Sequence, residues 1–157
     1  MGGMAARQRT KKIVVGTDGS STATEAVRRA VEVAAAEGAC LHVVTAYRPK
    51  LSRGAAIDAE ALPEAFRWQS SPGEVAERTA REAAERAAAA GLEVECHAYP
   101  GEPADVLVEV VEKVDADLLV IGNKGMRGAG RIVIPSVPNR VSHRATCDIL
   151  LVDTSAA

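Results

Sequence analysis

Short apolar segments alternate with amphipathic segments along most of the chain, and this order predicts strands and helices in turn. The predicted strands are residues 12–16, 41–47, 92–99, 117–122 and 148–152. Between them, apolar residues recur three and four positions apart, as they do on the buried side of a helix. Strands that alternate with helices at this spacing are typical of βαβ units with right-handed crossovers. We therefore predict a single α/β domain whose open, five-stranded parallel sheet carries helices on both faces.

Turn and capping residues mark the ends of the predicted helices. The first helix stops at Gly38. The second, over residues 74–90, carries Glu–Arg pairs four residues apart in the favourable order and stops at Gly91. The third begins at Pro103, because proline suits the first turn of a helix. A short fourth helix is predicted to start after Ser136, which is a good N-cap residue.

The apolar pattern within each strand indicates its place in the sheet. Residues 92–99 alternate apolar and polar side chains, which is typical of a strand with one exposed face, so we expect an edge strand. Residues 117–122 are almost wholly apolar, as expected for a strand covered on both faces. Residues 148–152 are also apolar on both faces.

Two segments do not fit the alternating pattern. Residues 48–73 contain three prolines and little periodicity, so we predict a mobile insertion with one helical turn. Residues 1–11 are predicted to be a flexible tail, whose basic side chains lie in solvent before the first strand.

Composition indicates a globular domain, and the charge balance argues against nucleic-acid binding. The chain has 157 residues, 47% hydrophobic and 25% charged, which fits one soluble globular domain. Lys and Arg number 19 against 21 Asp and Glu, so no basic excess favours nucleic acid as a partner.

Cysteine spacing and hydropathy indicate the compartment. The three cysteines are widely spaced and form no CxxC or Cys/His ligand pattern, so the sequence predicts neither a disulfide framework nor a metal site. No apolar run is long enough for a membrane span, and no signal-peptide pattern follows the start. We therefore expect a cytoplasmic protein with reduced thiols and no membrane partner.

Ligands of open parallel sheets bind beyond the carboxyl ends of the strands, where the strand order reverses. Three segments end there: Gly16–Ser20, Val43–Tyr47 and Gly122–Ser136. Glycines at 122 and 125 allow close approach of the backbone to a ligand, and loop N–H groups with a helix start at Ser136 can bind an anion. The same glycines also suit plain turns.

The spacing of the last loop resembles a known motif. Gly122-Asn-Lys-Gly125, nine residues and then Pro135-Ser136 is similar to the ATP-binding motif of the universal stress protein family, in which Gly-x-x-Gly precedes nine residues, Gly and Ser or Thr. Together with GTDGS after the first strand, LHVV and SVPNRVSHRATCDILLV, the resemblance spans about residues 12–153. It implies a domain over residues 12–154 with a Rossmann-like, adenine nucleotide alpha hydrolase-like fold and the strand order 3-2-1-4-5.

The resemblance also implies a set of nucleotide-binding positions. On the adenine and ribose side these are Thr17, Asp18 and the backbone near Val43. On the ribose and phosphate side they are Gly122, Gly125, Pro135, Ser136 and Val137. A simpler interpretation stays open for two of them, since Asp18 suits a turn or N-cap and Ser136 suits plain N-capping.

Pro135 departs from the family motif, in which this position is glycine. Proline has no backbone N–H and a fixed φ, so it removes a donor beside the phosphates. This weakens the case for polyphosphate binding more than the case for adenosine binding. Lys124, Arg127 and Arg131 offer charge in the same loop, although they also suit a solvated loop.

The sequence contains no recognised catalytic constellation, because the GxxxxGK[ST], HExxH and GxSxG patterns are absent. His42, His97 and His143 are isolated and suit structural or surface roles. The first hypothesis is a non-enzymatic stress protein that binds ATP, AMP or a cyclic nucleotide, with Mg²⁺ accompanying ATP. The alternatives are a dimeric interaction module that binds no nucleotide, and a slow ATP hydrolase with Asp18 as its metal-side carboxylate.

The family's strand order makes residues 148–152 an edge strand, although they are apolar on both faces. An exposed apolar edge favours pairing with another chain. We therefore expect a homodimer in which this strand pairs with its copy across a two-fold axis.

Overall fold

The chain alternates strands and helices in the predicted order. A computed structural model describes residues 9–49, 71–123 and 136–155. Its elements are β1 (Lys12–Gly16), α1 (Ser21–Glu37), β2 (Cys40–Tyr47), α2 (Pro72–Ala89), β3 (Val94–Pro100), α3 (Pro103–Val114), β4 (Leu118–Gly122), α4 (Val137–Ser142) and β5 (Asp148–Val152). The α/β class predicted from the hydrophobic pattern is confirmed.

The five strands form one parallel sheet in the order β3-β2-β1-β4-β5. This is the order implied by the resemblance, and it places β3 at one edge, as its alternating pattern predicted. The chain moves from β1 outward to β2 and β3, then crosses back to β4 on the other side of β1. The strand order therefore reverses between β1 and β4, where a crevice forms at the carboxyl edge.

The two faces of the sheet are covered by different helices. On one face, α1 and α2 pack small side chains against the strands, chiefly Ala26, Ala30, Ala34, Ala83 and Ala87. On the other face, α3 and α4 contribute larger apolar side chains, including Val106, Leu107, Val110, Val111 and Val141. Small alanine side chains allow α1 and α2 to approach the sheet closely.

Helix α2 starts two residues before the predicted position of 74. Ser71 Oγ accepts a hydrogen bond from the Glu74 N–H at 3.2 Å, and Glu74 Oε2 accepts one from the Ser71 N–H at 2.8 Å. This reciprocal capping box satisfies two donors that a helix start otherwise leaves unpaired, so the helix includes Pro72 at its first turn.

The segment before β1 is tied to the end of α3. The Arg9 guanidinium forms ion pairs with Asp115 and Asp117, and Asp117 also accepts a hydrogen bond from the Lys12 N–H at 2.8 Å. The predicted boundary of a flexible tail at residue 11 stays a prediction, although residues 9–11 contact the domain. Most of the predicted insertion, residues 50–70, lies outside the described residues. No helix in the described ranges is long and apolar enough to cross a bilayer.

Candidate functional site

The carboxyl ends of β1 and β4 lie side by side at the reversal of strand order. Ile13 pairs with Leu118 and Val15 with Val120, and continuing this register places Thr17 level with Gly122. The loop after β1 and the loop after β4 therefore start from neighbouring positions. Three of the predicted nucleotide-binding residues therefore lie at the same edge of the sheet: Thr17, Asp18 and Gly122.

The loop after β1 presents polar atoms at this edge. Thr17 is buried, its N–H donates to the Val44 carbonyl at 2.9 Å, and its Oγ1 accepts from the Gly19 N–H at 3.2 Å. Asp18 is exposed, and its Oδ1 accepts from the Ser20 N–H at 2.9 Å. Ser20, and not Asp18, caps α1. The second oxygen of Asp18 makes no hydrogen bond within the described part of the chain.

A groove of about 230 Å³ opens beside this loop between α1 and α2. Its lining is mainly polar and comprises Thr17, Asp18, Gly19, Thr24, Val27, Thr79, Glu82, Ala83 and Arg86. Both signs of charge are present on its α2 side, from Glu82 and Arg86. A polar ligand that contacts Asp18 therefore has room on the α1–α2 side of the sheet.

Val43 lies within the sheet and not at the carboxyl end of β2. Val43 pairs with Val15 and Cys96, its side chain is fully buried, and its backbone polar groups face β3. Val44 faces β1, since its carbonyl accepts from Thr17, and backbone groups alternate in direction along a strand. The Val43 contact with a ligand stays a prediction. Two residues beyond Val44, the Ala46 N–H and C=O face the side on which β1 has already ended.

Thr45 adds a second polar group that the sequence analysis did not single out. It lies level with Thr17, on the same face of the sheet. Its side chain is almost fully buried, with 5% of the residue exposed, and its hydroxyl has no hydrogen-bond partner in the described part of the chain. A buried hydroxyl without a partner is uncommon in folded proteins.

Asn123 fixes the point at which the glycine-rich loop leaves the sheet. Its N–H donates to the Val152 carbonyl at 2.9 Å, and its Oδ1 accepts from the Thr154 N–H and hydroxyl at 3.1 and 3.0 Å. Its amide nitrogen donates to Asp153 at 3.2 Å. An asparagine directly after an apolar strand was the only signal in the sequence for this clamp.

The phosphate-side residues are described only in part. Ser136 is the N-cap of α4, with its Oγ 3.4 Å from the Asn139 N–H, and Val137 is partly buried against the core beneath α3. Gly125 and Pro135 lie outside the described residues, as do the three basic side chains of the loop, Lys124, Arg127 and Arg131. Ser136 therefore has the capping role that the sequence allowed, and its contact with a ligand stays a prediction.

A further cluster of polar side chains lies away from the groove. His42 Nδ1 is 3.1 Å from His97 Nε2, and Glu95 lies beside both rings. The two histidines are 55 residues apart in sequence, so only the pairing of β2 with β3 brings them together. Burial lowers the pKa of both imidazoles, which keeps them neutral near pH 7.

Comparison with known proteins gives a consistent result over nearly the whole chain. Residues 9–153 match the Universal stress protein family. A universal stress protein of Mycobacterium tuberculosis is 38% identical over 146 residues, which cover 92% of this chain and 97% of that protein. One from Methanocaldococcus jannaschii is 34% identical over 145 residues, which cover 90% of this chain and 81% of that protein.

Two solved structures of similar proteins contain a nucleotide. A universal stress protein in complex with cAMP is 38% identical, with a TM-score of 0.68 over 93% of this chain and 98% of that chain. The universal stress protein from Archaeoglobus fulgidus in complex with dAMP is 26% identical, with a TM-score of 0.62 over 93% of this chain and all (100%) of that chain. The five-stranded fold described above is thus shared with proteins that bind adenine nucleotides.

We predict that the loop after β1 depends on glycine at position 19. Gly19 has φ of 80°, and a Cβ there would lie 3.1 Å from Thr79 Cγ2. Gly19→Ala should lower the free energy of unfolding by about 1–2 kcal/mol through backbone strain, with a further loss from the contact with α2.

Chemical denaturation can separate the two contributions to this loss of stability, the contact with Thr79 and the backbone strain at residue 19. Thr79→Ser removes the contacting methyl group and keeps the hydroxyl. Gly19→Ala should therefore be less costly in the Thr79→Ser protein than in the native one. Equal losses in both backgrounds would show that α2 does not press on this loop.

Proposed function

Because the chain belongs to the universal stress protein family, we propose that it is a cytoplasmic, non-enzymatic protein that binds an adenine nucleotide where β1 and β4 end. The observation that carries this proposal is the convergence of Thr17, Asp18 and Gly122 at the reversal of strand order. The second oxygen of Asp18 there also makes no hydrogen bond within the described residues.

Asp18, Ala46 and Gly122 each have a specific role in this proposal. The free oxygen of Asp18 accepts hydrogen bonds from a ribose hydroxyl or an adenine amino group. The Ala46 N–H and C=O, which face the space past the end of β1, pair with the edge of the adenine ring. Gly122 lets the following loop approach the ribose and phosphates, because it has no side chain. Hydrogen bonds to a charged group contribute about 1.5–3 kcal/mol each.

The proposed ligand carries one phosphate. Both nucleotides found in the similar structures, cAMP and dAMP, are monophosphates. Pro135 supports the same choice for this chain, since proline has no N–H to donate to a further phosphate. AMP or a cyclic nucleotide is therefore preferred to ATP, whose additional charge requires more donors from the loop.

A second candidate function is a dimeric interaction module that binds no nucleotide. Pro135 favours it as well, if the missing donor abolishes binding altogether. The two functions are separated by mass spectrometry of small molecules released from the denatured, freshly purified protein. An adenine nucleotide at near one per chain supports the first, and its absence together with no binding of added AMP supports the second.

The proposed dimer uses the edge of β5. This strand pairs only with β4 in the described sheet, and Leu151 is 52% exposed. An apolar edge strand is stabilised when a second copy pairs with it and covers its side chains.

We predict that Asp18→Ala weakens AMP binding about tenfold or more, because one charge-assisted hydrogen bond is lost. Isothermal titration calorimetry measures the affinity, and circular dichroism checks the fold. Glu109→Ala is the control, since Glu109 is an exposed carboxylate on α3. Equal affinities for the Asp18 variant and the control would remove Asp18 from the site.

Pro135→Gly should tighten ATP binding by about one decade, since it restores a donor worth on the order of 1.5 kcal/mol. AMP binding should change little. Competition titrations of both nucleotides against both proteins test this difference. If the native protein already binds ATP more tightly than AMP and the glycine variant gains nothing, the proposed preference for one phosphate is wrong.

Leu151→Asp should convert the dimer to a monomer, because it places a charge at the centre of the proposed interface. Multi-angle light scattering gives the mass in solution. Val75→Asp is the matched control, since Val75 is also an exposed apolar residue, at 41%, but lies on α2. A native monomer, or a dimer that survives Leu151→Asp, would contradict an interface at β5.

A further inference from the structure

A cluster of three ligand-bearing side chains lies across β2 and β3, on the sheet face that packs against α3. We define the His–Glu cluster as His42, Glu95 and His97. His42 is paired with Glu95 in the strand register, and His97 is the next residue of β3 on the same face. The groove beside Asp18 lies on the opposite face, so this cluster is separate from the proposed nucleotide site.

The distances in the His–Glu cluster fit a shared metal ion. His42 Nδ1 and His97 Nε2 are 3.1 Å apart, and Glu95 Oε2 lies 3.6 Å from the first and 3.9 Å from the second. Tetrahedral zinc with bonds of about 2.0–2.1 Å to nitrogen and oxygen places its ligand atoms about 3.3 Å from one another. The separations therefore need to change by about 0.6 Å at most, the largest change being at Glu95.

From this geometry we propose that His42, Glu95 and His97 bind a divalent transition-metal ion, with zinc as the representative ion. Two imidazoles and one carboxylate form a donor set that zinc accepts in proteins, and a fourth position is left for water. Ions that prefer only oxygen ligands, such as Mg²⁺ and Ca²⁺, are disfavoured by the two nitrogens.

The surroundings of His42 are compatible with the tautomer that binding requires. Its Nε2 lies 3.8 Å from Cys40 Sγ, so an Nε2–H can donate to the sulfur and leave the Nδ1 lone pair for the ion. In the metal-free protein, the His97 Nε2–H then donates to His42 Nδ1. Metal binding moves the His97 proton to its Nδ1 and requires both rings to turn, because an ion bound to both nitrogens lies off the line between them.

The cluster combines buried ligands with access from solvent. The His42 side chain is buried, the His97 side chain is 14% exposed, and the Glu95 side chain is 59% exposed. The two largely buried imidazoles supply two ligand atoms, and the exposed Glu95 side chain on β3 moves toward them to supply the third. Charge is mixed around the site, since Glu93 and Glu95 oppose Lys12 and Lys113.

Zinc titration of the full chain tests the proposal. The Cys96→Ser protein is used as the background, since Cys96 is an exposed thiol on β3 that can bind zinc by itself. After treatment with a chelator, it should bind one zinc ion per chain. His97→Gln should weaken binding at least tenfold, and Glu95→Gln should also weaken it. His143→Gln is the matched control, because His143 is an exposed histidine just after α4 and its replacement should leave zinc affinity unchanged.

Cobalt supplies a second readout that does not depend on affinity alone. Co²⁺ bound to the cluster should give the visible absorption of a nitrogen and oxygen site without sulfur-to-cobalt charge transfer. Circular dichroism of each variant confirms that it is folded. Equal zinc affinity of the His97 and His143 variants, a sulfur-ligated cobalt spectrum, or no saturable zinc binding by the background protein would each overturn the proposal.

Discussion

The pairing of β1 with a neighbour on each side is the interaction on which the rest of the structure depends. Its hydrogen bonds run to β2 on one side and to β4 on the other, and its apolar side chains are buried on both faces. The last bond to β2 is the one from the Thr17 N–H to the Val44 carbonyl. Since β2 continues to Tyr47, its last residues extend past β1 and leave backbone groups for another partner. The position of the candidate site is thus set by the residue at which β1 ends.

Much of the fold could be predicted because each strand and helix has a strong local pattern. The β-branched run of β1 and the apolar stripe of α3 are set by burial, which acts on each segment by itself. The order of the strands could not be obtained in this way, since every buried strand has a similar pattern. That order came from the resemblance of the loops to a family. The earlier start of α2 depended on the reciprocal bonds of Ser71 and Glu74, and an apolar pattern does not contain that information.

The candidate site was predictable only where it follows a strand end directly. Asp18 and Gly122 stand immediately past apolar runs, so their place at the carboxyl edge followed from the sequence. The direction in which the backbone groups of Val43 and Ala46 face required the register of β2 against β1, which a local apolar pattern does not contain. For the same reason, the sequence alone makes His42 and His97 look isolated. Their contact depends on which residues of β2 and β3 are paired, and no local pattern records this.

The clamp made by Asn123 has a consequence for how the two ends of the β4–β5 unit respond to each other. Its four hydrogen bonds join the start of the glycine-rich loop to Val152, Asp153 and Thr154, directly after the edge strand. A displacement of residue 123 must therefore strain or break bonds to the segment that follows β5. Any energetic coupling through these bonds is reciprocal. If a ligand at the loop changes the free energy of pairing at the strand edge, pairing at the edge changes the free energy of ligand binding by the same amount. One asparagine thus joins the residue at which the loop begins to the segment that follows the edge strand.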